Sequence, residues 1–366
     1  MTAFLPFDRS LFEHPAKIAQ IFNKPAIGVL PLHFPIELIE AAGALPVEVF
    51  GIQAPVSTSD RLAPPFICSL VKTFLETAMT GGFEGFKGFA IANICDSCQN
   101  AAGTLHYATQ GRFFTVLMNL SMHPEAQSAK EFLRHVVLNV KEALEQGLNT
   151  NITDGKLSHA IRETVRLRLA LRKLLEKRAL GPLNISTREV IDFVRSCWMM
   201  PRSQAADMVE SVLPRIQPQS PSGPGVLLSG IVPAPYGLLD EIEKAGAFIC
   251  GDDLGISWRN TSGPYDTEGD PIDLLINRLL NLEPCSTLHF QRKDRGDHLL
   301  ERVKQTGAKA VVFFRLKFCD PEAFDHPYLK SRLDAENIPS QMVETDLRDA
   351  SFQGAATRIT ALIESL

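Results

Sequence analysis

The chain has 366 residues, of which 45% are hydrophobic and 22% charged, with a formal net charge of -5. This is ordinary globular composition in a chain too long for one core, and it speaks against extended disorder and against a basic nucleic-acid-binding surface. No apolar run reaches about 18 residues, and the start lacks a basic region followed by an apolar stretch; neither a membrane span nor a secretory signal is expected, and the cytoplasm is the expected location.

Residues 26–30 read as a strand, 35–43 as a helix closed by Gly43, and 45–50 as a second strand, a βαβ opening. A helix opens at Cys68 after Pro64-Pro65 and ends at Gly81-Gly82. Residues 86–93 form a strand, a helix runs from Ser97 to Ala108, and 113–119 form the next strand. From about 122 to 215 apolar residues recur at three- and four-residue spacing, which predicts helices throughout. The stretch 157–180 carries Arg162, Arg166, Arg168, Arg172, Lys173, Lys177 and Arg178, a pattern expected of a solvated face. Pro218, Pro221 and Pro224 mark a turn-rich entry into a second α/β region. There, strands are expected at 226–230, 247–250, 310–314 and 341–344. Helices are expected at 236–245, near 270–282 and 296–306, at 320–336 and at 352–366.

Strands alternating with helices imply parallel sheets. The expected fold class is therefore α/β, with an N-terminal α/β domain over 1–120, a helical segment over 121–215 and a C-terminal α/β domain over 216–366. The second domain echoes the first.

The seven cysteines are 68, 95, 98, 197, 250, 285 and 319. In a cytosolic chain they read as core thiols, metal ligands or catalytic thiols rather than disulfides. The echo singles out two. Phe89-Ala90-Ile91-Ala92-Asn93 leads to Cys95-Asp96, and Val311-Val312-Phe313-Phe314 leads to Cys319-Asp320-Pro321. In each, a buried strand ends, a Cys and an Asp follow, and a helix begins. Asp is expected as the N-cap and Pro as the first helical residue. Each Cys then lies at the carboxyl end of a parallel strand beside a helix N-terminus, where open α/β sheets bind ligands and where thiolate is favoured. Cys68, at the head of an apolar helix, has a similar setting. Three thiols of this kind can meet in one interdomain cleft. Soft sulfur suits iron–sulfur clusters, zinc or copper(I), and spacing does not choose among them. Cys95 and Cys98 form a C-x-x-C pair, readable as a zinc half-site or a redox pair.

The stretch Cys319-Asp320-Pro321-Glu322-Ala323-Phe324-Asp325-His326-Pro327-Tyr328-Leu329-Lys330, with Ile338-Pro339 and Glu344-Thr345-Asp346, resembles the C-terminal signature of the 2-hydroxyacyl-CoA dehydratase and benzoyl-CoA reductase family. Pro65-Phe66-Ile67-Cys68, Cys95-Asp96, Ala42-Gly43-Ala44-Leu45-Pro46 and Gly251-Asp252-Asp253 match in the same order. The resemblance implies two Rossmann-like domains with a helical part, and a 4Fe-4S cluster held by Cys68, Cys95 and Cys319, with Cys98 as the fallback for the second ligand. It implies a homologous second subunit in a heterodimer, a separate ATP-hydrolysing iron–sulfur activator and a CoA thioester, acyl-CoA or aryl-CoA, as substrate. One electron entering the thioester carbonyl would give a ketyl radical, from which hydroxide leaves or a ring takes up a proton. The chain has no G-x-x-x-x-G-K-[ST] loop, which fits a subunit that does not itself hydrolyse ATP. Two alternatives stay open: a homodimer carrying a double-cubane 8Fe-9S cluster and reducing small molecules, or a zinc or electron-carrier protein without a reaction of its own.

Cys197, Cys250 and Cys285 read as core or loop thiols. His106, His289 and His326 stand singly, without metal spacing. Asp252 and Asp253 end a strand and could face the cleft, but read equally as caps of a helix or loop, so they are left outside the site. Gly81-Gly82-Phe83-Glu84-Gly85 precedes a strand rather than following one and reads as a loop.

Overall fold

The computed structural model describes residues 9–30, 32–49, 56–121, 123–288, 293–349 and 351–366. After helix α1 (Ala16–Phe22) come β1 (Ala26–Val29), α2 (Ile36–Ala41), β2 (Leu45–Glu48), α3 (Ser69–Met79), β3 (Phe86–Asn93), α4 (Asp96–Ala108) and β4 (Phe114–Asn119). These strands form one parallel sheet in the order β2-β1-β3-β4. Four helices follow: α5 (Ala129–Leu148), α6 (Asp154–Glu176), α7 (Thr187–Cys197) and α8 (Arg202–Val212). The chain then runs through β5 (Gly225–Gly230), α9 (Gly237–Lys244), β6 (Phe248–Leu254), α10 (Pro271–Leu280), α11 (Arg295–Thr306), β7 (Ala310–Leu316), α12 (Asp320–Ala335), β8 (Ser340–Thr345) and α13 (Gln353–Glu364). Its sheet is parallel too, in the order β6-β5-β7-β8. The α/β class with two Rossmann-like sheets is thus as expected.

Both sheets are parallel because each strand returns through a helical crossover, and their strands are apolar on both faces because helices cover both. Every residue of β1 and β5 is buried. In each sheet the first strand lies between the second and the third, which makes a switch point with a crevice at the carboxyl ends. Phe74, Phe83 and Phe113 pack edge-on against Phe89 at 5.0–5.2 Å between ring centres and anchor the middle of β3. One contiguous apolar core runs under both sheets, including Ile27, Phe89, Leu228 and Val312. Among the described residues no helix is long and apolar enough to cross a membrane.

The basic stretch differs from expectation. Of its seven cations only Arg162 and Lys173 are exposed; Arg168 and Arg178 are buried. Arg168 donates to Glu37 of α2 at 2.8 Å with both side chains 2% exposed, Arg166 donates to Glu210 at 2.9 Å and to Asp207 at 2.6 Å on α8, and Arg178 pairs with Asp252. Arg172 and Arg302 both stack against the Trp258 ring, at 3.5 and 3.2 Å. Arg166, Arg168, Arg172 and Arg178 bolt this stretch to its neighbours instead of facing water, because the carboxylates and the ring that receive them come from distant parts of the chain.

Gly230 closes β5 with φ +143°, a conformation that only glycine takes readily, and a Cβ there would lie 2.4 Å from the Phe314 carbonyl oxygen. Gly230→Ala is expected to cost at least about 2 kcal/mol through backbone strain and overpacking. A urea unfolding midpoint equal to wild type would refute this.

Candidate metal centre

Among the described residues, three helices begin with a cysteine. Cys68 is the N-cap of α3, Cys95 of α4 and Cys319 of α12. The aspartates expected as caps sit one residue further on: Asp96 and Asp320 are the first helical residues, and Pro321 follows at the next position. The shift has a physical reason. The acid still favours the positive end of the helix from within the first turn, so the extended residue before it is free to be the thiol. None of the three thiols closes a formal capping hydrogen bond. The first-turn N–H groups of Val71, Cys98 and Glu322 nevertheless lie close enough to Cys68, Cys95 and Cys319, respectively, to favour their charged forms.

The sequence of α3 brings in the first thiol by a link from the other half. The backbone N–H of Leu347, just past β8, donates to the Ser69 hydroxyl at 3.2 Å, next to Cys68. Cys95 stands two residues beyond β3, and Cys319 three beyond β7, after Phe318 at φ +64°. Both follow the third strand of their sheets, beside the switch points.

All three thiols line one cavity of about 790 Å³ between the halves. A fourth helix start also lines it, Asp294, the N-cap of α11. Its carboxylate is already engaged, accepting from the Asp297 N–H at 2.8 Å, the Tyr328 hydroxyl at 2.6 Å and Arg332 at 2.9 Å. Among the described residues no three or more His, Cys, Asp or Glu side chains are gathered so that they could hold a single metal ion. The donor set is soft sulfur from separate elements. It fits a polynuclear iron–sulfur cluster, in which each thiolate meets a different iron, better than a closed tetrahedral site.

The thiols differ in charge preference. Burial pushes Cys68 up to about 11, against the pull of the Val71 N–H. The Cys98 thiol hydrogen-bonds to Cys95 and draws it down to about 7, with burial opposing, and the same bond with burial pushes Cys98 well up. Burial, then neighbouring Glu322, pushes Cys319 up. Glu322 is itself pushed up to about 7 by burial, despite Arg259. Cys98 is only 6% exposed and lies off the cavity lining, behind Cys95.

A supporting layer was not legible beforehand. Asp253 does not end its strand; β6 continues through Leu254, and Asp252 and Asp253 are fully buried within it. Asp253 pairs with Arg295, accepts from the Ser229 hydroxyl at 3.1 Å, and stands 3.3 Å from His298 and 3.5 Å from the Arg259 Nε. Arg295 lines the cavity, so Asp253 fixes a cation at its wall. Cys285 is buried, as a core thiol should be, yet it also lines the cavity, and the Arg259 guanidinium donates to its sulfur at 2.7 Å. Cys197 and Cys250 are buried elsewhere, in α7 and β6. His106 is exposed near the end of α4, His326 packs edge-on to Phe313 at 5.0 Å, and His289 lies outside the described residues.

Two Rossmann-like sheets facing across a thiol-lined cleft, each followed after its third strand by a cysteine, define a class of two-sheet α/β proteins. The family follows from comparison: residues 31–366 match the model for 2-hydroxyglutaryl-CoA dehydratase, D-component, and the chain belongs to that family of dehydratase and reductase-like enzymes. It is 30% identical to the (R)-phenyllactyl-CoA dehydratase beta subunit of Clostridium sporogenes, over 94% of this chain and 92% of that one. It is 26% identical to the (R)-2-hydroxyglutaryl-CoA dehydratase beta subunit of Acidaminococcus fermentans, over 94% and 93%. A benzoyl-CoA reductase subunit of Thauera aromatica is 24% identical, over 87% and 84%.

Proposed function

We propose that this chain is the iron–sulfur subunit of an ATP-activator-dependent 2-hydroxyacyl-CoA dehydratase or aryl-CoA reductase, acting in the cytoplasm. Its Cys68, Cys95 and Cys319 would hold a 4Fe-4S cluster. The observation that carries this reading is the meeting of three helix-capping thiols, two from one half and one from the other, in a single cavity. Such a cluster, when bound, supplies low-potential electron transfer and a Lewis-acidic iron at a CoA thioester.

The chain's own part is to hold and to shelter. The helix starts present their positive ends to the thiolates. Ile94, Leu288 and Phe318 give the cavity apolar wall, which limits water, and Asp253 keeps Arg295 in place beside it. Two related chains, each named a beta subunit, support a second subunit as partner. Phe324 on the cavity wall is 84% exposed, the kind of aromatic surface that a partner covers. The activator remains a separate protein in this reading.

Purified and reconstituted without air, the chain is expected to be brown and to carry about four iron and four sulfide atoms. A colourless chain containing only zinc would overturn the proposal. An iron and sulfide count matching an 8Fe-9S cluster would move it to the double-cubane class.

A further inference from the structure

We infer that Cys95 and Cys98 are a site of reversible covalent modification, closing a disulfide across the first turn of α4. Cys95 is the N-cap and Cys98 the third helical residue. Residues three apart on a regular helix hold their Cβ atoms roughly 5–6 Å apart, against the roughly 3.5–4.5 Å of a disulfide, so closure needs a shift of about 1–2 Å, which Cys95 can supply because it is an extended N-cap residue outside the helix. Their positions in one helical turn set the two thiols beside each other. Their exposure divides the work. Cys95 is half-buried and faces the cavity, and Cys98 is buried behind it. This is the arrangement of an attacking thiol with its resolving partner. Cys68 and Cys319 stand on other elements, and neither lies on α4.

The oxidant is a peroxide. The Cys95 thiolate attacks one oxygen of hydrogen peroxide, giving a sulfenic acid and hydroxide. The Cys98 sulfur then displaces the sulfenic oxygen as water, forming the S–S bond. Overall two thiols and one peroxide give one disulfide and two waters. A dithiol reverses the step by exchange.

The disulfide stands on the geometry of α4 alone. Its consequence rests on the reading of Cys95 as a metal ligand: a sulfur in the disulfide is withdrawn from the metal set. The oxidised chain then keeps two of its three helix-start thiols, Cys68 and Cys319, and must be reduced before it can be loaded.

The test uses the cluster-free full-length chain, treated with a small excess of hydrogen peroxide, alkylated, and mapped by peptide mass spectrometry. The seven thiols are expected to fall to five, two being consumed, with Cys95 joined to Cys98, and dithiothreitol should restore all seven. Iron uptake from ferrous iron and sulfide should be lower in the oxidised chain than in the reduced chain by roughly tenfold or more. Cys98→Ser should form no such bond, accumulate Cys95 sulfinic acid under peroxide, and take up iron normally when kept reduced. Seven surviving thiols, or a bond from Cys95 to Cys68 or Cys319, would overturn the assignment. Loss of iron uptake in reduced Cys98→Ser would overturn it too, making Cys98 a ligand. A mapped Cys95–Cys98 bond with undiminished iron uptake would uphold the modification and sink the metal role of Cys95 instead.

Discussion

Cys319→Ala is expected to give a folded chain with almost no cluster iron and no activity. Cys319 is the one of the three helix-capping thiols that comes from the second half of the chain. Without it, the helix-start sulfur on the far side of the cleft is gone; Cys285, the other sulfur on that wall, is buried and engaged by Arg259, so Cys68 and Cys95 are left to hold a cluster from one side. The fold has little reason to suffer. Cys319 is half-buried, makes no capping hydrogen bond, and is followed by Asp320 and Pro321, which keep the helix start in place. The stability change should therefore be within about 1 kcal/mol. Iron analysis and visible absorbance of the anaerobically reconstituted variant give the readout, with thermal unfolding as the check on folding. Cys197→Ala, at the buried end of α7, should retain its iron. Full iron occupancy in Cys319→Ala would remove the central pillar of the proposed function.

Asp253→Ala is expected to destabilise the fold by about 3–5 kcal/mol, because it leaves the buried Arg259 without its nearest carboxylate and Arg295 with only Asp325, 3.5 Å away. Arg259 and Arg295 both converge on this carboxylate, which is itself fully buried. Burial works against its charge, but Arg295, Arg259 and His298 outweigh burial and hold its carboxyl below the usual carboxylate range. The sign of the pH dependence follows. A carboxylate whose folded pKa is depressed contributes stability that is present above its unfolded value, about 4, and is lost as pH falls towards the folded value. Wild-type stability should therefore decline as pH drops below about 4, and Asp253→Ala should lack that part of the decline. Urea unfolding of both proteins at pH 7 and across the acid range measures this; equal midpoints at pH 7 would show that the cations find other partners.

The sheets could be read from sequence because parallel strands buried on both faces are short, continuous apolar runs, as 86–93 and 310–316 are. The strand–Cys–Asp–helix echo likewise exposed Cys95 and Cys319. The off-by-one cap was a matter of propensity: Asp is the better cap in isolation, but an acid in the first turn satisfies the same field. Arg168 and Arg178 carried a signal that charge counting hid. They fall on the helical stripe of Leu157, Ile161, Leu171 and Leu175, so periodicity turned them inward even as their charge suggested water. Asp253 was visible only as a strand-end acid, and nothing local pointed to its partners, nor to the pairing of Arg259 with Cys285. Asp253 meets Arg295 42 residues away, and Arg259 meets Cys285 26 residues away, through packing that no local pattern encodes.

The equal strand order of the two sheets has a consequence for how the cleft is divided. Superposed by order, the helix start after the third strand is Cys95 in one half and Cys319 in the other; the start before it is Cys68 in one and Asp294 in the other. At these four helix starts the halves differ in one residue type, three sulfur corners and one oxygen corner. A fourth thiol by repetition would have to arise at position 294, at the expense of the bonds that Tyr328 and Arg332 make there.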